Sequence, residues 1–225
     1  MIVVIDGPSG SGKSSTAKAV AEKLGIEYLD SGALYRAVTL IWLEEERPSE
    51  SEFLDILSSK KIRFEYTEGT FCIRVNGRDL TLELRRPYVS DHVSRVAALP
   101  KVRGFVNRLM HEAVSNGFYI ADGRDLGTVV FPDADLKIYM DASLDVRAER
   151  RFEELKSAGE SISRKEVKEN LRLRDHADST RDEAPLVQPE GAKRIDTSRI
   201  LFDEQVEEIS SYIAAIMTQY KSQKP

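Results

Sequence analysis

Cysteine is nearly missing from this 225-residue chain: the single Cys72 can form no internal disulfide, and one thiol cannot build a zinc site by itself. It sits in the strand-like stretch Phe71-Cys72-Ile73-Arg74-Val75, on the same side as Arg74, with no partner motif nearby, and reads as a bystander. No apolar run approaches the roughly 18–20 residues that a membrane span needs. The opening Met1-Ile-Val-Val-Ile-Asp6 lacks the basic n-region and long h-region of a signal peptide, and reads as the first strand of a cytoplasmic protein. An excess of positive charge is lacking too. Lys and Arg number 33 against 38 Asp and Glu, a net charge of −5, which argues against wholesale binding to nucleic acid or anionic membranes. Any anion site must be a local concentration of basic residues on an acidic body. Internal repeats and low-complexity tracts are absent.

What is present suffices for a globular core, with 41% apolar and 32% charged residues. Short apolar runs at Ile2–Asp6, Glu27–Asp30, Phe118–Asp122, Leu136–Asp141 and Lys193–Thr197 alternate with helical patterns. Helical stretches are expected after the runs at Ile2, Phe118, Leu136 and Lys193. Ser49-x-x-Glu52 and Ser163-x-x-Glu166 match capping boxes, a helix is expected over Ala33–Glu46, and another begins at Pro100. The last helical stretch puts Val206, Ile209, Ile213, Ile216 and Tyr220 on one face. Alternating strands and helices predict an α/β fold, a doubly wound parallel sheet of about five strands with helices on both faces. One stretch breaks the alternation: Ile62–Thr67, turn residues Glu68-Gly69-Thr70, then Phe71–Asn76 and Gly77 predict a small antiparallel hairpin. Residues 36–98 read as an inserted subdomain, and Gln223-Lys224-Pro225 as a frayed tail.

The strongest motif is Gly7-Pro8-Ser9-Gly10-Ser11-Gly12-Lys13-Ser14, which fits G-x-x-x-x-G-K-[ST] between a strand and a helix. Glycines permit turns with positive φ and let successive backbone N–H groups face phosphate oxygens. The helix N-terminus adds its positive dipole end. Lys13 supplies a cation for the β- and γ-phosphates of a nucleoside triphosphate, and Ser14 a hydroxyl for Mg²⁺. The Asn-Lys-x-Asp motif of guanine-nucleotide switches does not occur, and motor and remodelling ATPases generally need a longer chain. A small P-loop protein with an insertion and an arginine-rich later half points to a kinase of a small molecule. Arg124 follows a strand end in Ile120-Ala-Asp-Gly-Arg-Asp125, the edge at which open α/β sheets bind ligands. Arg147, Arg150 and Arg151 crowd one helical stretch, while Arg174 and Arg181 bracket another; Arg164 and Arg172 read as solvated helix positions. Arginine suits phosphate because its planar fork binds bidentately and stays charged.

At this level of detail the chain resembles the bacterial cytidylate kinases nearly end to end. The resemblance rests on Ile5-Asp-Gly-Pro-Ser-Gly-Ser-Gly-Lys-Ser14, Leu29-Asp-Ser-Gly-Ala-Leu-Tyr-Arg36, Val93-Ser-Arg-Val-Ala-Ala-Leu-Pro-Lys-Val-Arg103, Ala121-Asp-Gly-Arg-Asp-Leu-Gly-Thr-Val-Val-Phe-Pro-Asp133 and Arg174-Asp-x-x-Asp-Ser-x-Arg-x-x-Ala-Pro-Leu186. It implies an ATP-dependent kinase of CMP or dCMP, using Mg²⁺, in pyrimidine nucleotide metabolism, expected to act as a cytoplasmic monomer. It implies a core of 1–35, 99–145 and 166–225, a monophosphate-binding insertion at 36–98 and a lid at 146–165. ATP-binding residues would be Gly7 to Ser14 together with Ser15 and Arg150. Lys13, Asp122, Arg124, Arg147 and Arg151 would be catalytic, with Ser14 and, through water, Asp122 at Mg²⁺. Arg36 and Arg124 resemble clamps on the acceptor 5′-phosphate. Ser31, Arg103, Asp125 and Arg181 match positions around cytosine, and Ser94, Arg174 and Asp178 positions near the sugar. The lid is expected to carry uncompensated arginines until phosphate arrives. His92, His111 and His176 have no part in this scheme and read as structural or surface residues. Met110-His111 stand where this family commonly has Gln-Arg. Two other readings remain: a P-loop kinase for UMP, AMP or a metabolite such as shikimate, and a nucleotide-dependent switch that transfers no phosphate.

Overall fold

A computed structural model describes residues 1–114, 117–157 and 159–222. The terminal Gln223-Lys224-Pro225, read above as a frayed tail, lies outside them. In chain order the elements are β1 (Ile2–Asp6), α1 (Lys13–Leu24), β2 (Glu27–Asp30), α2 (Ser31–Glu44), α3 (Glu50–Ser59), β3 (Ile62–Thr67), β4 (Thr70–Val75), β5 (Arg78–Asp79), α4 (Pro87–Ser90), α5 (Val93–Ala97), α6 (Pro100–Ala113) and β6 (Tyr119–Gly123). A single π-helical turn, Leu126–Val130, follows, and then β7 (Leu136–Asp141), α7 (Leu144–Ser157), α8 (Arg164–Thr180), β8 (Lys193–Asp196) and α9 (Phe202–Ser222).

The large sheet has five strands in the order β2-β6-β1-β7-β8. β1 and β7 run parallel with Val3 opposite Leu136, and β7 and β8 run parallel with Ile138 opposite Lys193. Val3, Val4, Ile5, Ile120, Ile138 and Met140 are fully buried, as runs covered on both faces must be. The order reverses direction around β1, so the loop leaving β1 opens at the topological switch point where such sheets take ligands.

The described residues divide into two compact units, 1–26 with 120–225, and 27–119. In the first, α1 packs on α9 through the face that carries the buried Val206, Ile209 and Ile213. α7 packs on α8 around Ala148, Val167 and Leu171. The predicted box at Ser163 is formed: Ser163 Oγ accepts from the Glu166 N–H at 3.2 Å, and Glu166 accepts from the Ser163 N–H at 2.8 Å.

In the second unit a three-stranded sheet, β3-β4-β5, carries the predicted hairpin. Its turn is two residues, Glu68 and Gly69, both with positive φ, and Thr70 already pairs with Thr67. That is the primed turn whose twist suits a hairpin. A third strand, β5, was not foreseen. Asn76-Gly77, again with both φ positive, turns the chain once more, so the signal was in the sequence. α2 begins two residues before the expected start because the Asp30 side chain accepts the Ala33 N–H at 2.8 Å. It ends at Glu44, and Glu46 and Arg47 then take the left-handed conformation. Met110 is fully buried on α6, and His111 beside it is exposed.

The stretch after β6 departs from expectation. In place of a regular helix there is the π turn, whose first N–H groups are taken by a carboxylate from β1: Asp6 accepts from Leu126 at 2.9 Å and Gly127 at 2.7 Å.

Candidate active site

The phosphate-loop motif lies where its sequence context put it, between β1 and α1. Gly7 is obligatory: its φ is +151°, and a Cβ there would stand 1.9 Å from the Met140 carbonyl oxygen of the neighbouring strand. Gly12 is the N-cap of α1 and has no side chain with which to cap the first-turn N–H groups, which suits a helix end that receives an anion. Lys13 is buried, and its ammonium donates to the Pro8 carbonyl at 2.7 Å. Burial first, and then the Arg124 guanidinium, hold its pKa well below the usual lysine value, while Asp122, Asp6 and Asp178 oppose the shift. Ser14 Oγ donates to Asp122 Oδ2 at 2.8 Å. Ser15 is exposed on the first turn of α1.

Asp122 lies in β6, and Arg124 and Asp125 follow that strand. Arg124 Nε donates to Asp178 Oδ2 at 2.9 Å, so one candidate from the β6 edge meets one from α8. Burial works against the Arg124 charge, but Asp178, Asp122 and Asp175 outweigh it and raise its pKa. Arg181 Nη2 donates to Asp125 Oδ1 at 3.2 Å, joining the two residues expected around cytosine. Arg174 is half-buried on α8.

The arginines of α7 differ from one another. Arg147 is buried; its guanidinium donates to Asp175 at 2.6 Å, to the Ser9 carbonyl at 3.0 Å and to the Ala142 carbonyl at 2.9 Å. Arg150 donates to Thr197 Oγ1 at 3.0 Å and to the Thr197 carbonyl at 2.6 Å. Arg151 pairs with Glu154 one turn along, at 2.9 Å. The expectation of uncompensated arginines is therefore overturned. A guanidinium buried as deeply as that of Arg147 needs a carboxylate or carbonyl partner, because an unpaired buried charge costs several kcal/mol, on the order of 3–5.

Four candidates belong to the second unit. Ser31 opens α2, and Arg36 lies one turn along it. Ser94 is half-buried on α5. Arg103 is buried on α6, donates to the Ala97 carbonyl at 3.0 Å and stacks over the Tyr35 ring at 5.4 Å.

Sequence reasoning missed three residues that organise this site. Asp175 holds Arg147, and it is the residue next in sequence to Arg174. Thr197 donates to the Ser11 carbonyl at 3.0 Å and so ties the end of β8 to the phosphate loop. Asp6 holds the turn after Asp125. Only for Asp6 was there a signal, a carboxylate at the end of an otherwise apolar strand. Among the described residues no cluster of three or more His, Cys, Asp or Glu side chains could hold a metal ion. Ser14 with Asp122 is a small set of hard oxygen donors, which suits Mg²⁺ because that ion uses one or two protein ligands plus substrate phosphates.

A parallel sheet with a glycine-rich loop at its switch point defines the class: this is a P-loop kinase fold. A gluconokinase structure from Sinorhizobium meliloti 1021 shares that fold, with a TM-score of 0.53 and 17% identity over 99% of this chain and 97% of that one. The family model described as cytidylate kinase matches residues 3–215. The chain belongs to the cytidylate kinase family. The cytidylate kinase of Fervidobacterium nodosum is 44% identical over 211 residues, 92% of this chain and 93% of that protein. That of Carboxydothermus hydrogenoformans is 40% identical over 215 residues, 95% of this chain and 97% of that protein.

Proposed function

We propose that this protein transfers the γ-phosphoryl group of ATP to CMP or dCMP, giving ADP and CDP or dCDP. The observation that carries the reading, beyond family membership, is the pair of arginine–carboxylate contacts beyond β6, Arg124 with Asp178 and Arg181 with Asp125. Arg124, with Arg36, clamps the acceptor 5′-phosphate. Asp125 and Arg181, with Ser31 and Arg103, read cytosine, and Ser94, Arg174 and Asp178 hold the sugar. No base is required, since an acceptor phosphate with a second pKa of about 6 is already anionic near neutral pH. The protein's task is to bring two polyanions together in line and to neutralise charge on the moving group. Lys13, Arg147 and Arg151 supply positive charge, and Arg150 holds the donor nucleotide. The loop from Gly7 to Ser15 cradles its phosphates with the backbone N–H groups of its residues other than Pro8. Ser14, and Asp122 through water, would hold Mg²⁺, which when bound adds charge neutralisation at the phosphates.

Residues 36–98 serve as the monophosphate-binding insertion and 146–165 as a lid, both closing when nucleotides bind to exclude water. Amide exchange in both segments slows when CMP and a non-hydrolysable ATP analogue are present together; unchanged exchange removes the closure. The test of the reaction itself is ADP formation strictly dependent on added CMP, with UMP, AMP and shikimate as competing acceptors. ADP formed equally without any acceptor, or better with another one, defeats the assignment.

A further inference from the structure

Asp6 is the last residue of β1, and the phosphate loop begins at the next residue. It is completely buried. Its Oδ1 accepts the Leu126 N–H at 2.9 Å and its Oδ2 the Gly127 N–H at 2.7 Å. Those two residues open the π turn directly after Arg124 and Asp125. The turn closes with the Phe131 N–H donating to the Leu126 carbonyl at 2.6 Å, and π turns occur frequently at functional sites. Gly127 is confined from the other side as well: a Cβ there would stand 2.9 Å from Pro189 Cγ and 3.3 Å from Asp6 Oδ2.

A carboxylate is an expensive choice for a purely structural brace here. Burial pushes its pKa up to about 6, with Asp125 adding to the rise, and the two N–H bonds and Lys13 only partly offset this. What a carboxylate offers and an amide does not is two acceptor oxygens side by side, which can hold two successive N–H groups at once. The charges of Lys13, in the phosphate loop, and of Asp125, beyond β6, both act on the Asp6 carboxylate.

We propose that Asp6 is a positioning residue for the acceptor: by gripping the N–H groups of Leu126 and Gly127 it sets Arg124 and Asp125 at a fixed place relative to the phosphate loop. This rests on the reading of Arg124 and Asp125 as acceptor-binding residues. A merely structural role would damage both substrates alike. A positioning role splits them, because the phosphate loop keeps its own backbone while the turn after β6 drifts, and a displacement of about 1 Å can cost up to a hundredfold.

The experiment compares Asp6→Asn, Gly127→Ala and Val4→Ala with the wild type. Asp6→Asn sets an amide donor against one of the two N–H groups, and Gly127→Ala pushes the turn off an intact Asp6, so the second carries the test if the first does not fold. Val4→Ala makes a cavity in the same strand while leaving the Asp6 carboxylate and its two hydrogen bonds in place. The expected result is a KM for CMP raised about tenfold or more in the first two variants, with KM for ATP within about threefold. In Val4→Ala the ratio of the two constants stays as in the wild type. Both constants rising together, or neither moving, in a folded Asp6→Asn or Gly127→Ala protein overturns the proposal. Exchange of the Leu126 and Gly127 amides is followed alongside. If the wild type makes no CMP-dependent ADP, the functional reading fails separately, and the brace is judged on exchange: lost protection in Asp6→Asn supports it, and unchanged protection overturns it.

Discussion

The phosphate loop and the arginine–carboxylate group beyond β6 solve related problems by opposite means. The loop is made of consecutive residues, Gly7 to Ser14, and most of its work is done by backbone N–H groups that need no partner brought from elsewhere. The arginine group is assembled across the chain: Arg124 meets Asp178, Arg181 meets Asp125, and Arg147 meets Asp175 and the Ser9 carbonyl. A backbone cradle carries partial charges, which cost less to bury than full ones. Full guanidinium charges at this depth demand carboxylates, and α8 supplies Asp178 to Arg124 and Asp175 to Arg147. Positive charge is thus held in place by internal pairing.

The largest effect expected from breaking this contrast is at Lys13, the one full side-chain charge of the loop. Lys13→Ala should lower kcat by about 10²–10³-fold, the loss of a single stabiliser of developing charge, while thermal melting stays near the wild type because a costly buried ammonium is gone. Turnover within tenfold of normal in a folded variant would take Lys13 out of the reaction.

Next comes the carboxylate that joins the two regions. Asp6 holds its proton up to a pH of about 6 when folded, against about 3.9 for an ordinary aspartate. Between those values the folded state binds more protons than the unfolded one, so this group's contribution is fully present below about pH 4 and is lost as pH rises through about 6. The difference amounts to roughly 3 kcal/mol at 1.36 kcal/mol per unit. Denaturant unfolding of wild type and Asp6→Asn at pH 4, 5, 6 and 7 should show the wild type losing stability relative to the variant across that range; parallel curves would contradict the raised pKa.

Arg124→Ala should raise KM for CMP by about 10–100-fold, in line with the roughly 1.5–3 kcal/mol of a hydrogen bond to a charged group, and leave ATP affinity within a few-fold. Equal damage to both substrates would move Arg124 to the donor side. The smallest effect concerns base choice. Cytosine offers an amino donor at N4 where uracil has a carbonyl, and a carboxylate at Asp125 accepts only from the former. Asp125→Asn should lower CMP efficiency and shift the CMP-to-UMP ratio by about tenfold, as one unpaired polar group at 1–3 kcal/mol requires. A fall in CMP efficiency at constant ratio would show Asp125 positioning the site without reading the base.

How much of this was legible beforehand depends on the range of the interactions. β1, β2 and β7 stand at the residues their apolar runs marked, both capping boxes hold, and Pro100 opens its helix as an N-terminal proline should. These are signals carried within a few residues of each other. The short β5 was missed although Asn76-Gly77 announced it, because two residues show no alternation to read. Where a helix was expected after β6 there is a π turn, and its first two N–H groups are held by a side chain about 120 positions away, a tie that local periodicity does not encode.

The order of residues alone thus specified the parallel α/β sheet, the phosphate loop, the hairpin and the family, since each rests on local periodicity, turn chemistry or a contiguous motif. Which carboxylate neutralises which arginine was decided by folding. So were the tie from Thr197 to the loop and the grip of Asp6 on the turn after Asp125. Pairings between residues 28 to 186 positions apart leave no trace in composition or spacing. They follow from the cost of burying charge and polar groups once the sheet and its helices have brought these side chains together.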